Sequence, residues 1–132
     1  MFVGLSGSGK STKAKSLIDD NTEYLSSDEI RFELFGNESC QENNAKVFDT
    51  LTQRCRAAIK EHKNVIIDAT NLSAKKRQNF LGNLPFNDEY NKVCIIMATP
   101  FGKCVENQKK RNRKVSWDVI FKQLKNFQTP WY

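Results

Sequence analysis

The sequence lacks the residue patterns that mark several large classes of protein. It has one histidine, His62, and its four cysteines include no C-x-x-C pair, so the ligand spacing of a zinc site is missing. Its longest apolar runs, such as 93–98, are far shorter than the ~20 residues of a transmembrane helix. The N-terminus has no charged leader followed by an apolar segment. We therefore expect no signal peptide, a cytoplasmic location and free thiols.

Length and composition are those of one ordinary globular domain. The chain has 132 residues, 39% hydrophobic and 27% charged, and no Pro/Gly-rich linker divides it, so we expect a single domain over 1–132. Residues 1–62 carry 8 Lys/Arg against 10 Asp/Glu, net −2, whereas residues 63–132 carry 13 against 5, net +8. A basic half attracts nucleotides or nucleic acid, although a solvated helix face has the same composition.

Hydrophobic periodicity predicts strands and helices in alternation. The predicted strands are 1–5, about 24–25, 64–69 and 92–98. The predicted helices are 10–20, 28–35, a longer helix after Gly36, 73–81, one from 101 into the basic cluster, and 117–127. The long helix has an apolar face of Val47, Phe48, Leu51, Cys55, Ala58 and Ile59. This alternation predicts an α/β three-layer sandwich, with about four parallel strands and helices on both faces.

Residues 4–11 have the spacing of a phosphate-binding loop. They read G-L-S-G-S-G-K-S, match G-x-x-x-x-G-K-[ST], and lie between a predicted strand and a predicted helix. Glycines let backbone N–H groups approach phosphate oxygens, and the helix presents its positive end to the same anion. The plain alternative is a Gly/Ser turn before an amphipathic helix. The predicted nucleotide-binding residues are Ser6, Gly7, Ser8, Gly9, Lys10, Ser11 and Thr12.

Two of these residues have distinct predicted roles. Lys10 would neutralise the β and γ phosphates of a nucleoside triphosphate such as ATP. Ser11 would bind Mg²⁺, which bridges those phosphates. Because this loop serves motors, switches and transferases alike, it does not by itself indicate a kinase.

Asp28 and Arg31 are candidates for handling the acceptor. They follow the second predicted strand, three residues apart, so a helix that begins near Asp28 would place both on one face. The carboxylate could take a proton from an attacking hydroxyl, and the guanidinium could hold a phosphate. Alternatively, Ser27 and Asp28 cap the helix, and Arg31 pairs with Glu33 or Glu38.

Asp68 ends the predicted strand V-I-I-D at the edge of the sheet where ligands bind. It could order Mg²⁺ through water or orient the acceptor. Its alternative role is to cap the next helix together with Thr70 and Asn71.

Together these segments resemble the phage-type polynucleotide 5′-hydroxyl kinases and the small P-loop kinases grouped with them. The segments are the glycine loop, S-D with Arg31, D-A-T-N at 68–71 followed by Arg77, and the late basic stretch 107–113. They span nearly the whole chain. The resemblance implies phosphoryl transfer from ATP to the 5′-hydroxyl of RNA or DNA.

The resemblance also implies roles for individual residues. Asp28 would be the general base, and Arg31 would grip a phosphate near the acceptor. Asp68, Asn71 and Arg77 would contact substrate. The segment 101–116 would be a lid in which an arginine reaches the transferring phosphoryl group, and Arg111 is the first choice with Arg113 the alternate. A solvated basic helix is the alternative interpretation of that segment.

Two other functions remain open. One is a P-loop kinase for a small hydroxyl compound, which would also need one or two arginines for its phosphate. The other is a nucleotide switch or nucleic-acid-stimulated ATPase. A guanine switch is disfavoured because the N-K-x-D base reader is absent: 91–94 reads N-K-V-C. Relatives with two activities carry a phosphatase domain, and we expect none here because its paired aspartates are missing.

Overall fold

The computed structural model describes residues 1–37, 43–86, 89–111 and 115–130. Along these residues four strands alternate with six helices. The strands are β1 (Phe2–Val3), β2 (Thr22–Ser26), β3 (Asn64–Asp68) and β4 (Ile95–Ile96). The helices are α1 (Lys10–Lys15), α2 (Ser27–Phe35), α3 (Asn44–Lys60), α4 (Ala74–Gly82), α5 (Phe101–Lys109) and α6 (Trp117–Lys125).

The strands form two parallel pairs that meet beside the glycine loop. β2 pairs with β3 from end to end, and β1 pairs with β4. The amide of Gly4 donates to the carbonyl of Thr70 across 3.1 Å, which joins β1 to the segment after β3. Each pair is a two-stranded sheet, and this bond is a backbone link between the two sheets. The predicted α/β architecture with parallel strands is confirmed.

Two apolar clusters hold these elements together. The larger one packs α3 and α2 against β2 and β3, and its buried members are Leu25, Ile30, Val47, Leu51, Cys55, Ile59, Ile67 and Leu84. The smaller one joins the glycine loop to α5 and α6, and its buried members are Leu5, Cys104 and Ile120. Burying each large side chain contributes about 1.5–3 kcal/mol. The loop is thus attached to both the sheet and the last two helices.

Several elements are shorter than the periodicity predicts, and α1 and β4 differ the most. α1 ends at Lys15 rather than near residue 20, because the Ser16 hydroxyl donates back to the Lys13 carbonyl across 2.6 Å and Leu17 and Ile18 stay exposed. With no apolar surface to bury, a longer helix has little to stabilise it. β4 is limited to two residues because its partner β1 has only two before the chain enters the glycine loop.

The predicted apolar face of α3 is correct except at one position. Val47, Leu51 and Cys55 recur every four residues and are buried, whereas Phe48 is 40% exposed. Phe48 is one position, or about 100°, round the helix from Val47. That rotation turns its ring out of the core and toward a cleft.

Two further predictions concern the thiols and the membrane. Cys55, Cys94 and Cys104 are free thiols as expected, and Cys40 lies outside the described residues. Among the described helices, none is both long and apolar enough to cross a membrane.

Candidate active site

A cleft of about 1390 Å³ runs from the glycine loop to the groove between α3 and α4. It gathers most of the site residues predicted from the sequence. Those in its lining are Ser6, Gly7, Gly9, Lys10, Ser11, Thr12, Asp28, Arg31, Asp68, Asn71 and Arg111. Two predicted residues are absent from this lining. Ser8 is buried within the loop, and Arg77 is buried in the interior. Arg113 lies outside the described residues.

Backbone conformation explains the glycines of the loop. Gly7 and Gly9 have φ values of 82° and 89°, a region that side chains disfavour. At Gly7 a Cβ atom would also lie 2.4 Å from the carbonyl oxygen of Cys104. The loop therefore packs against α5 so closely that only glycine fits at this position.

Side chains from distant segments hold the loop in shape. Asn107 Nδ2 donates to the carbonyl of Gly7 across 2.9 Å, and Thr99 Oγ1 donates to that of Ser8 across 2.8 Å. Gln123 of α6 makes two bonds to Ser6: its Oε1 accepts from the amide at 2.9 Å, and its Nε2 donates to Oγ at 3.0 Å. No motif in the sequence indicates these contacts, because their spacing matches none. They preorganise the loop, which lowers the cost of binding an anion there.

Lys10 is held beneath the loop. Its Nζ donates to the carbonyl of Leu5 across 2.7 Å and lies 3.4 Å from Ser8 Oγ. Burial lowers the pKa of Lys10 from 10.5 to about 8, against the opposing effect of the Asp68 and Asp28 carboxylates. A triphosphate would supply the negative charge that burial makes favourable here.

Asp28 and Arg31 form the pair expected from their spacing. Arg31 Nη1 donates to Asp28 Oδ1 across 2.9 Å, and its Nη2 donates to Asn44 Oδ1 across 2.8 Å. The Arg31 side chain is 6% exposed but that of Asp28 is 40% exposed, so a buried guanidinium orients a carboxylate that opens into the cleft. Arg31 therefore orients Asp28, and its contact with a phosphate stays a prediction.

The neighbours of this pair bear on two of its alternatives, the helix cap and the pairing of Arg31 with Glu33. The helix cap is Ser26, whose Oγ accepts from the amide of Glu29 at 3.3 Å, so Asp28 is not needed as a cap. Glu33 pairs with Arg54 at 2.6 Å rather than with Arg31. Glu38 lies outside the described residues.

Asp68 is buried at the end of β3 and accepts a hydrogen bond from the Tyr24 hydroxyl. Burial and this carboxylate raise the pKa of Tyr24 well above its usual value, so Tyr24 stays a proton donor. Asp68 does not cap α4, since Ser73 does so by accepting from the amide of Lys76. Its carboxylate is therefore free of a capping role and faces the cleft.

The residues around Ser11 and Asp68 fit a magnesium ion. Mg²⁺ is usually held by one or two carboxylates together with substrate phosphates, keeping several waters. One hydroxyl and one carboxylate in the lining of the cleft match that pattern. In the described part of the chain, no group of three or more His, Cys, Asp or Glu forms a metal site independent of a nucleotide.

Arg77 corrects a prediction. Its buried guanidinium donates to the carbonyls of Asn71 and Gln128, each across 2.7 Å, and Arg77 is absent from the cleft lining. These bonds tie the segment after β3 to the segment after α6, so the role is structural rather than substrate binding. Its neighbour Lys76 lines the cleft instead. Asn71 also lines it, but Nδ2 donates to the Phe2 carbonyl across 2.8 Å.

The segment predicted to be a lid is described except for 112–114. α5 ends at Lys109, and the exposed Arg111 lies beside the cleft near enough to Lys10 to lower its pKa. The lid role of this segment stays a prediction. The choice between Arg111 and Arg113 stays a prediction, because 112–114 lie outside the described residues.

Comparison with solved structures finds similar folds. A chain of the Pnkp1/Rnl/Hen1 RNA repair complex has a TM-score of 0.80 and 26% identity, with 95% of this chain and 42% of that chain covered. A second structure of the Pnkp1/Rnl/Hen1 complex has a TM-score of 0.70 and 27% identity, covering 87% and 38%. This chain thus spans about two fifths of their length.

A gluconokinase from Sinorhizobium meliloti 1021 has a TM-score of 0.66 and 15% identity, covering 98% of this chain and 74% of that one. At this identity the likeness shows the fold alone. No curated protein sequence matches the chain.

A family model described as an AAA domain matches residues 1–130, which is almost the whole sequence of 132 residues. This match and the structural likenesses confirm the P-loop kinase domain that the sequence predicts. The chain belongs to this AAA domain family, and its fold is the α/β fold of the P-loop kinases.

Proposed function

We propose that this chain is a kinase that transfers the γ-phosphoryl group of ATP to the 5′-hydroxyl end of a polynucleotide, with Asp28 as general base. The observation that carries the proposal is that Lys10, which would bind the phosphates, and Asp28, which would take the hydroxyl proton, line the same cleft. Lys10 lies under the phosphate-binding loop, and Asp28 is close enough to raise its pKa. A triphosphate on the loop and a hydroxyl at Asp28 would therefore share this space.

The transfer would proceed in line. The acceptor oxygen forms a bond to the γ phosphorus as the bond from that phosphorus to the β,γ-bridging oxygen breaks, and ADP leaves. Asp28 takes the hydroxyl proton, a role that contributes roughly a hundred- to a ten-thousandfold. Lys10 and Arg111 stabilise the charge on the phosphoryl oxygens. Mg²⁺ held near Ser11 and Asp68 would neutralise the phosphates further.

Two features support a polynucleotide as the acceptor. The most informative structural likeness is to a chain of an RNA repair complex. In addition, Lys76, Lys110 and Lys125 bring positive charge to the cleft lining, which suits a phosphodiester backbone. A small hydroxyl compound needs fewer such charges.

The test is transfer from radiolabelled ATP, with Mg²⁺, to a panel of acceptors. The panel contains RNA and DNA oligonucleotides with a 5′-hydroxyl, the same oligonucleotides with a 5′-phosphate as matched controls, and small polyols and sugar acids. We expect label only on the 5′-hydroxyl oligonucleotides. If label appeared on small compounds alone, the acceptor would be a metabolite and not a polynucleotide. If ATP were hydrolysed and no acceptor were labelled, the chain would be an ATPase.

A further inference from the structure

The cleft extends beyond the phosphate site into a groove with one wall from α3 and one from α4. Asn44, Phe48 and Thr52 recur every four residues on α3 and so form one face of that helix. Opposite them lie Asn79 of α4 and Asn83, the residue that follows the last residue of α4. The groove therefore combines aromatic rings with several short side chains that both donate and accept hydrogen bonds.

Phe48 is unusual among the aromatic residues of this groove. Its side chain belongs to neither apolar cluster, and 40% of its surface is exposed. Phe80, on the opposite wall, packs against the larger cluster and is only partly exposed. A single exposed phenylalanine is ordinary on a protein surface. Here the Phe48 ring lines a cleft together with amide side chains. That composition suits a flat ligand ring with polar groups at its edge.

The groove starts at the proposed acceptor end. Asn44, its first residue, accepts the hydrogen bond from Arg31, which also holds Asp28. Phe48 lies four residues, or about 6 Å, further along the helix axis. Asp28, Asn44 and Phe48 all line the same cleft. A 5′-hydroxyl at Asp28 would therefore leave the rest of its nucleotide in the part of the cleft that Phe48 lines.

We propose that the α3–α4 groove binds the 5′-terminal nucleobase of a single-stranded acceptor, with Phe48 stacking on the base and the groove amides facing its edge. This inference rests on the proposed function. Stacking on an aromatic ring tolerates any base, so the site would favour nucleic acid over sugar acids without strong sequence preference. Phe48 is then a residue that determines the class of acceptor.

The first test measures binding without ATP. A single-stranded 5′-hydroxyl oligonucleotide carries 2-aminopurine, whose fluorescence stacking quenches, at its 5′-terminal position. We expect quenching by the natural chain and by Phe48→Tyr, and a loss of quenching in Phe48→Leu with roughly 5- to 100-fold weaker binding. Phe32→Leu is the matched control, because Phe32 is 57% exposed on α2 and outside the cleft.

The second test measures transfer with the same variants. Phe48→Leu should raise KM for the oligonucleotide by a similar factor while leaving ATP affinity unchanged, and Phe48→Tyr should restore it. Equal quenching and KM in Phe48→Leu and the natural chain would overturn the inference, as would the absence of oligonucleotide binding. If quenching depended on Phe48 but no transfer occurred, base binding in the groove would be supported and the kinase proposal would be overturned.

Discussion

The two ends of the cleft are built in different ways. At the phosphate end, loop groups are already bonded to the protein: Gly7 to Asn107, Ser8 to Thr99 and Ser6 to Gln123. At the α3–α4 end, side chains such as Phe48 and Asn79 are exposed and stand on the surfaces of two helices. Fixed dipoles suit a step in which charge develops at one place, and exposed side chains suit ligands that vary. We infer that the phosphate end carries out the phosphoryl transfer and that the α3–α4 end selects the acceptor.

Removing the cation of the phosphate end should have the largest effect. Lys10→Ala takes away the ammonium group that would balance the β and γ phosphates, so transfer should fall roughly a hundred- to a thousandfold. ATP affinity, measured by calorimetry, should fall with it. Lys13→Ala is the control, since Lys13 is exposed on the same helix and outside the cleft. An ATP affinity that is unchanged in Lys10→Ala would contradict the assignment of the loop to nucleotide binding.

Substitution of a packed glycine tests whether the loop is as fixed as its contacts indicate. In Gly7→Ala the new Cβ meets the carbonyl of Cys104 and the backbone keeps a positive φ. The free energy of unfolding in urea should fall by about 1–3 kcal/mol. Gly102→Ala on α5 meets no atom within 4 Å and should be neutral or slightly stabilising. Equal stability of the two variants would mean that the loop and α5 separate easily.

Nucleotide binding should take up a proton in mildly alkaline solution. Burial lowers the pKa of Lys10 to about 8, and bound phosphates raise it again, so at pH of about 8.5 part of the Lys10 population gains a proton on binding. Above that pKa, ATP affinity should fall about tenfold per pH unit. Calorimetry in two buffers of different ionisation enthalpy measures the uptake. At pH of about 7 Lys10 is already charged, so uptake there, or none near 8.5, contradicts the assignment.

The same lowered pKa affects stability. Below pH of about 8 Lys10 is protonated in both the folded and unfolded chain, and its burial opposes folding in full. That cost decreases as the pH rises from about 8 toward 10.5, the ordinary value for a lysine.

The sequence predicted the phosphate end better than the groove. The loop spacing and the three-residue step from Asp28 to Arg31 are local, so they could be found without a structure. Arg77 was assigned to substrate from the resemblance, and its position after a motif does not reveal that its side chain turns inward to backbone carbonyls. Phe48 was assigned to the core because it extends an apolar stripe by one position, and only the packing of α3 shows where that stripe ends.

The fold was predictable in type but less so in extent. Alternating segments were enough for parallel strands and helices. The ends of α1 and β4 depend on exposure and on the length of a pairing partner, which a single sequence does not contain. The bonds from Gln123 to Ser6 join residues far apart in the chain and follow from the docking of α6.

The measurement that tests the central claim most directly is single-turnover transfer by Asp28→Asn to a 5′-hydroxyl oligonucleotide, with ATP affinity measured in parallel. Asparagine keeps the shape of the side chain but cannot take the proton. The account predicts a rate lowered roughly a hundredfold or more with ATP affinity nearly unchanged. A transfer rate equal to that of the natural chain would contradict it.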